Sequence, residues 1–137
     1  MDKILDNHNC SLMVIRCMDF RFQKSIDRIC EMEGGNNCDE ISMAGGAKAV
    51  LDSTETVLKA IEIFATKHHG RKIIILSHRD CGAYGGIKAF KSPEDEKNKL
   101  TKDLISAKKI IGEKFTALEV DLYFLDSNGE KIVFEKI

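Results

Sequence analysis

Residues 72–86, KIIILSHRDCGAYGG, constrain the fold more than any other stretch of the chain. Four consecutive apolar residues, Ile73 to Leu76, run without interruption into Ser77-His78-Arg79-Asp80-Cys81-Gly82. A short apolar run rich in β-branched residues and closed by glycine reads as a fully buried strand. Such strands belong to parallel sheets covered by helices. In open α/β sheets, chemistry gathers where strands deliver their C-terminal ends. His78 and Cys81 leave such an end three residues apart, and a turn brings residues at that spacing within roughly 7 Å. An imidazole and a thiol there can share one metal ion. A second strand, Leu12-Met13-Val14-Ile15-Arg16, runs in the same way into Cys17-Met18-Asp19-Phe20-Arg21.

The remaining segments alternate between helix and strand. After a short polar lead-in over residues 1–10, the first strand spans 11–16. A helix follows from about Arg21 to Met32, with Phe22, Ile26, Ile29 and Cys30 on one face, and Gly34-Gly35-Asn36-Asn37 ends it. Residues 40–43 form a second strand running into Ala44-Gly45-Gly46-Ala47. Helix resumes near Ser53, with Asp52 or Ser53 as its cap, and buries Val57, Leu58, Ile61, Phe64 and Ala65. The third strand, 72–77, leads through glycines and Ala83 to a short helix ending at Phe90. Ser92-Pro93-Glu94-Asp95 has the form of a helix start, with a cap, a proline at the first position and acids at the positive dipole end. That helix reaches about Lys114 and buries Leu100, Leu104, Ala107, Ile110 and Ile111. Val120 to Leu125 is the fourth strand, Ser127-Asn128-Gly129 a turn, and Lys131 to Phe134 an antiparallel return. The expected fold is a single α/β domain over residues 1–137. Its central, mostly parallel four-stranded sheet is flanked by helices and carries a C-terminal antiparallel edge strand.

Bulk properties narrow the function classes. A formal net charge of −1 gives no general attraction to nucleic acid or anionic membrane. No apolar run approaches the ~20 residues that span a bilayer, and the first ten residues lack the features of a signal peptide. The expected location is cytoplasmic, with reduced thiols. Five cysteines, an odd count without regular spacing, argue against a disulfide framework.

Placing the first strand beside the third brings Cys17 near His78 and Cys81, since neighbouring strands lie ~4.8 Å apart. Two thiolates and one imidazole suit Zn²⁺ with an open fourth position, the pattern of a catalytic rather than a structural zinc. The thiolates cancel the charge of the dication, so this metal acidifies water less than an all-histidine site does. Asp19, two residues beyond Cys17, is placed to compensate by accepting a hydrogen bond. Arg21 can grip that carboxylate with a two-pronged pair, keeping it ionised and off the metal.

At these residues the chain resembles the β-class carbonic anhydrases, whose signature is Cys-x-Asp-Ser-Arg, then Asn-Ala-Gly-Asn, then His-x-x-Cys-Gly. The corresponding stretches are Cys17-Met18-Asp19-Phe20-Arg21, Met43-Ala44-Gly45-Gly46 and His78-Arg79-Asp80-Cys81-Gly82. The likeness runs from the first strand to the final hairpin, and the compact form is most similar to the small, archaeal-type branch. The resemblance implies zinc on Cys17, His78 and Cys81 with an Asp19–Arg21 dyad. It implies reversible hydration of carbon dioxide to bicarbonate by zinc-bound hydroxide, and a homodimer whose pocket is completed across the interface.

The chain departs from that pattern in places. Phe20 stands where the family has serine, and Met43 and Gly46 stand where it has asparagine. Only about ten residues precede the first strand, where family members carry helices that embrace a partner. Related enzymes on this scaffold hydrolyse carbonyl sulfide or carbon disulfide, and an apolar Phe20 does not exclude such substrates. Two further readings compete: a cysteine hydrolase with Cys81 as nucleophile and Asp19 as base, and a zinc domain without catalysis. Gly45 and Gly46 either permit a tight turn or point amides at an anionic substrate. Gly85-Gly86 reads as close packing. His68 and His69 read as solvated residues at a helix end. His8, Cys10, Cys30 and Cys38 lack partners at ligand spacing, and residues 93–103 read as a solvated helix surface.

Overall fold

A computed structural model describes residues 8–34, 37–127 and 131–137. The first seven residues, the Gly35-Asn36 part of the first helix stop and the Asn128-Gly129 turn lie outside the described residues. Among the described residues, five strands form one sheet in the order β2-β1-β3-β4-β5. They are β1 (Leu12–Arg16), β2 (Asp39–Ser42), β3 (Lys72–His78), β4 (Glu119–Ser127) and β5 (Ile132–Lys136). The first four pair in parallel, and β5 runs antiparallel to β4. The expected sheet is therefore the observed one.

The helices are α1 (Gln23–Gly34), α2 (Ala47–Asp52), α3 (Thr54–Lys67) and α4 (Pro93–Lys114). Side chains alternate across a strand, so each buried strand feeds two cores. Leu12, Val14, Ile74 and Leu76 face α1 residues Ile26 and Ile29. Met13, Ile15, Ile73 and Ile75 face Val50 of α2, Val57, Ile61 and Phe64 of α3, and Leu104 and Ile111 of α4. All five residues of β1 are buried, which is why its sequence shows no polar alternation. The connection leaving β1 packs on one face and the one entering β3 on the other. Between these strands the winding reverses, opening a crevice at their C-terminal ends.

Three local expectations are corrected. The first helix begins as a 3₁₀ turn over Phe20–Phe22 before α1 proper. The helix expected from Ser53 is preceded by a separate helix, α2, and Ser53 sits between the two with no capping hydrogen bond from its side chain. Thr54 Oγ1 instead donates back to Val50 O at 2.7 Å. The start of α4 is as expected: Ser92 Oγ accepts from Asp95 N at 3.1 Å, and Pro93 is the first helical residue. Among the described residues no helix is long and apolar enough to cross a membrane.

Candidate metal centre

The crevice between β1 and β3 holds the three expected donors. Cys17 follows the last residue of β1, His78 is the last residue of β3, and Cys81 lies three residues on. Their donor atoms all lie within 4.8 Å of one another, and all three side chains are buried. The Cys17 and Cys81 sulfurs are 3.9 Å apart. His78 Nδ1 is 2.7 Å from Arg79 O. A carbonyl only accepts, so Nδ1 carries the proton and Nε2 presents its lone pair. Nε2 is buried and has no hydrogen-bond partner among the described residues. A buried, unpaired acceptor facing two sulfurs is costly unless something binds it, and this donor set suits Zn²⁺. The Phe22 ring packs on the imidazole at 4.2 Å between centroids, fixing its plane.

The negative charge of the sulfur pair rests on Cys17. The hydrogen bond from Cys81 is the main cause that pulls the Cys17 thiol well below its ordinary range, whereas Cys17 and then burial push Cys81 upward. The Gly45 amide donates to Cys17 Sγ at 3.3 Å, adding to the stabilisation of its thiolate. Gly46 N bonds Met43 O at 3.4 Å. Both glycine amides thus have protein partners. At Gly46 the backbone has φ +58°, and a Cβ there would stand 2.2 Å from Leu76 O and 3.3 Å from Cys17 N. Gly46→Ala is expected to destabilise the fold by at least ~2 kcal/mol, because positive φ and a backbone clash coincide. Urea unfolding of the two proteins measures it, and equal midpoints would show that this turn tolerates a side chain.

Asp19 and Arg21 form the expected pair. Arg21 Nη2 lies 2.7 Å from Asp19 Oδ2, its Nε 3.0 Å from Oδ1, and its main-chain N 2.9 Å from Oδ1. The guanidinium is the largest influence holding the Asp19 carboxyl below the ordinary range. Asp19 Oδ2 stands 3.8 Å from His78 Nε2, beside the donor cluster and too far for a hydrogen bond. A cleft of about 790 Å³ opens here, with Asp19, Arg21 and Cys17 in its lining and Met18, Phe20, Ala44 and Ala83 as apolar wall. Phe20 is 86% and Met18 66% exposed, so the rim is unusually apolar.

Several supports were not foreseen. Arg21 also donates to Asp80, through Nη1 to Oδ2 at 3.0 Å and Nη2 to the carbonyl at 2.9 Å. Asp80, at φ +59°, further accepts from Ile87 N at 2.8 Å. Fully buried Glu96 of α4 accepts from Asp80 N and from Arg79 Nη1, both at 2.8 Å. Asp103 accepts from the Tyr84 hydroxyl at 2.7 Å. The stretch 93–103 is therefore corrected from a solvated surface to one whose two inward acids anchor the loop carrying Cys81. A signal was present: Glu96 and Asp103 fall on the same helical stripe as Leu100, Leu104 and Ala107. Arg16, 1% exposed, donates to Cys17 O, Asp19 O, Gln23 and Glu40, tying the loop after β1 to α1 and β2. His68 is also more than a solvated helix end, since its Nδ1 lies 2.5 Å from Asp39 Oδ2.

Comparisons with known proteins agree with this architecture. Residues 7–135 match the model of a family described as "Putative carbonic anhydrase". A protein of Rickettsia bellii, described as uncharacterized, is 31% identical over 131 residues, which cover 89% of this chain and 80% of that protein. Among solved structures, β-carbonic anhydrase isoform I of Trichomonas vaginalis superposes with a TM-score of 0.64 at 12% identity, covering 98% of this chain and 86% of that one. A tetrameric β-carbonic anhydrase of the ascomycete Sordaria macrospora superposes at 0.67 with 16% identity, covering 92% and 81%. At those identities the structural likenesses establish the fold.

Proposed function

Because the chain belongs to the putative carbonic anhydrase family, we propose that it interconverts carbon dioxide and bicarbonate at a zinc ion held by Cys17, His78 and Cys81. The observation that carries this reading is the buried, partnerless His78 Nε2 facing two cysteine sulfurs, with an arginine-locked carboxylate 3.8 Å away. Zinc in that position supplies Lewis acidity, which draws the pKa of water toward neutrality. Everything else is work for the chain's own groups. Asp19, kept ionised and aimed by Arg21, accepts a proton or hydrogen bond from water in the cleft at its carboxylate oxygens. The Gly45 amide serves the Cys17 sulfur rather than the substrate. Met18, Phe20, Ala44 and Ala83 give the uncharged, linear substrate an apolar approach. The whole chain acts as one such domain.

The test is stopped-flow carbon dioxide hydration by the purified chain, with zinc content measured on the same sample and after chelation. One zinc per chain with chelator-sensitive hydration is expected; a zinc-loaded chain that hydrates nothing sinks the catalytic reading. The same wall admits carbonyl sulfide and carbon disulfide, so both are assayed alongside. A metal-free cysteine hydrolase fits less well. Cys81 is 1% exposed with its thiol pushed up, and Asp19 is already engaged by Arg21.

A homodimer belongs to the same proposal. Exposed Met18 and Phe20 rim the cleft, a second copy packed there would cover them, and a closed two-fold pair is the commonest such arrangement. Sedimentation at micromolar concentration is expected to show twice the chain mass. A species of monomer mass alone would rule the pairing out.

A further inference from the structure

Cys30 and Cys38 stand apart from the metal centre. Cys30 lies in α1, and Cys38 immediately precedes β2. Their sulfurs are 2.8 Å apart, against 3.9 Å for Cys17 and Cys81. A disulfide bond is about 2.05 Å long, so bonding needs only a small approach. Both side chains are half-buried and pack on the apolar layer that contains Leu12, Val14 and Ile29. Burial is the largest influence pushing both thiols above their ordinary range. That burial opposes a thiolate but not a disulfide, which carries no charge.

We propose that Cys30 and Cys38 form a reversible redox site, joined by a hydroperoxide into a disulfide that ties α1 to β2. One sulfur gives up its proton and attacks a peroxide oxygen; the O–O bond breaks, that oxygen stays on the sulfur as a sulfenic acid, and the other oxygen takes the proton and leaves as water from hydrogen peroxide or as an alcohol from an organic hydroperoxide. The second sulfur then attacks the sulfenic sulfur and expels its hydroxyl, which leaves with the second thiol's proton as water. Two S–H bonds are lost, one S–S bond forms, and the peroxide is reduced. Exchange with a small thiol restores both cysteines.

The position gives the bond a consequence. The helix α1 follows the Asp19–Arg21 pair, and β2 leads into the turn that carries Gly45 and Gly46. Arg16 already joins these elements near the candidate site, through Gln23 of α1 at 2.6 Å and Glu40 of β2 at 3.2 Å. The disulfide joins them again through Cys30 and Cys38, and closes a short loop that restricts the unfolded chain.

The experiment takes the full chain supplied with zinc and oxidises it with hydrogen peroxide. Remaining thiols are blocked with N-ethylmaleimide under denaturing conditions. Cleavage after Glu31 and Glu33 places Cys30 and Cys38 on separate peptides. The expected result is a Cys30–Cys38 linked pair that dithiothreitol splits, with a Tm higher by about 5 °C in the oxidised protein. The rise should be absent from Cys38→Ser and from Cys30→Ser. Cys30 and Cys38 both blocked after oxidation, or bonded instead to Cys10, Cys17 or Cys81, overturns the proposal. A linked pair without a rise in Tm overturns the tie between α1 and β2.

Discussion

Cys81→Ser is expected to lose most of its zinc while keeping its fold. Cys81 is 1% exposed, and its carbonyl accepts from Tyr84 N at 3.0 Å and Gly86 N at 2.9 Å, so the backbone that presents the sulfur is set by the turn itself. Serine fits that backbone with no added volume. What it lacks is a donor of matching chemistry: a hydroxyl is hard and holds its proton, whereas a thiol gives its proton up to a borderline-soft dication. The remaining pair, Cys17 and His78, is too few to close a zinc site. Loss of a group that only supports a ligand typically costs 10–100-fold in metal affinity, so loss of a ligand should cost more than ~100-fold. The measurement is a zinc competition titration beside the unmutated protein, with far-UV circular dichroism to show that the sheet is intact. Full zinc occupancy in a folded Cys81→Ser protein would remove Cys81 from the metal centre.

Why that centre could be read from the sequence is a matter of where its residues lie. Cys17, His78 and Cys81 lie at or just beyond the ends of buried parallel strands, so their positions depend on strand register and one tight turn, both local properties. Asp19 and Arg21 are two residues apart, close enough for their pairing to be local as well. The supports of the site are of another kind. Glu96 reaches Asp80 across 16 residues, and Arg16 reaches Glu40 across 24. Nothing in the sequence near either residue names its partner. Helical spacing puts Glu96 on the apolar stripe and so marks it as inward, but only the tertiary fold supplies the groups it meets. The same holds for Cys30 and Cys38. Their eight-residue separation matches no metal-ligand spacing, and only the packing of α1 beside β2 brings their sulfurs together. The helix α2 was hidden for a different reason: it is six residues long and begins directly after two glycines, which read as loop.

Arg21→Ala tests mechanism where Cys81→Ser tests the metal. In the unmutated protein Nε and Nη2 of the guanidinium donate to both Asp19 carboxylate oxygens, while Nη1 donates to Asp80 Oδ2 and Nη2 also to the Asp80 carbonyl. Arg21 therefore spans the loops that follow β1 and β3, and sets the direction in which Asp19 points. Removing it leaves Asp19 the amide of residue 21, which holds one oxygen at 2.9 Å and leaves the other free. The carboxyl then rises toward its ordinary range, yet an ordinary aspartate is still ionised at neutral pH. Charge at Asp19 survives, and orientation is lost. If orientation is what matters, carbon dioxide hydration should fall at least ~10-fold, or ~1.4 kcal/mol of barrier, with zinc content unchanged. Asp19 Oδ2 already lies 3.8 Å from His78 Nε2, so the released carboxylate is free to turn toward the donor cluster as a fourth ligand. Zinc affinity should then rise, a readout independent of turnover. Stability should fall at neutral pH, and the difference from the unmutated protein should vanish on the acid side. A carboxyl held low in the folded state stabilises the fold above its unfolded pKa, and that contribution fades as pH falls through the folded value. Arg21→Ala should thus show a shallower loss of stability between neutral and acid pH. An unchanged rate, together with unchanged zinc affinity, would reduce the Asp19–Arg21 pair to a clasp between two loops and leave the water in the cleft without its acceptor.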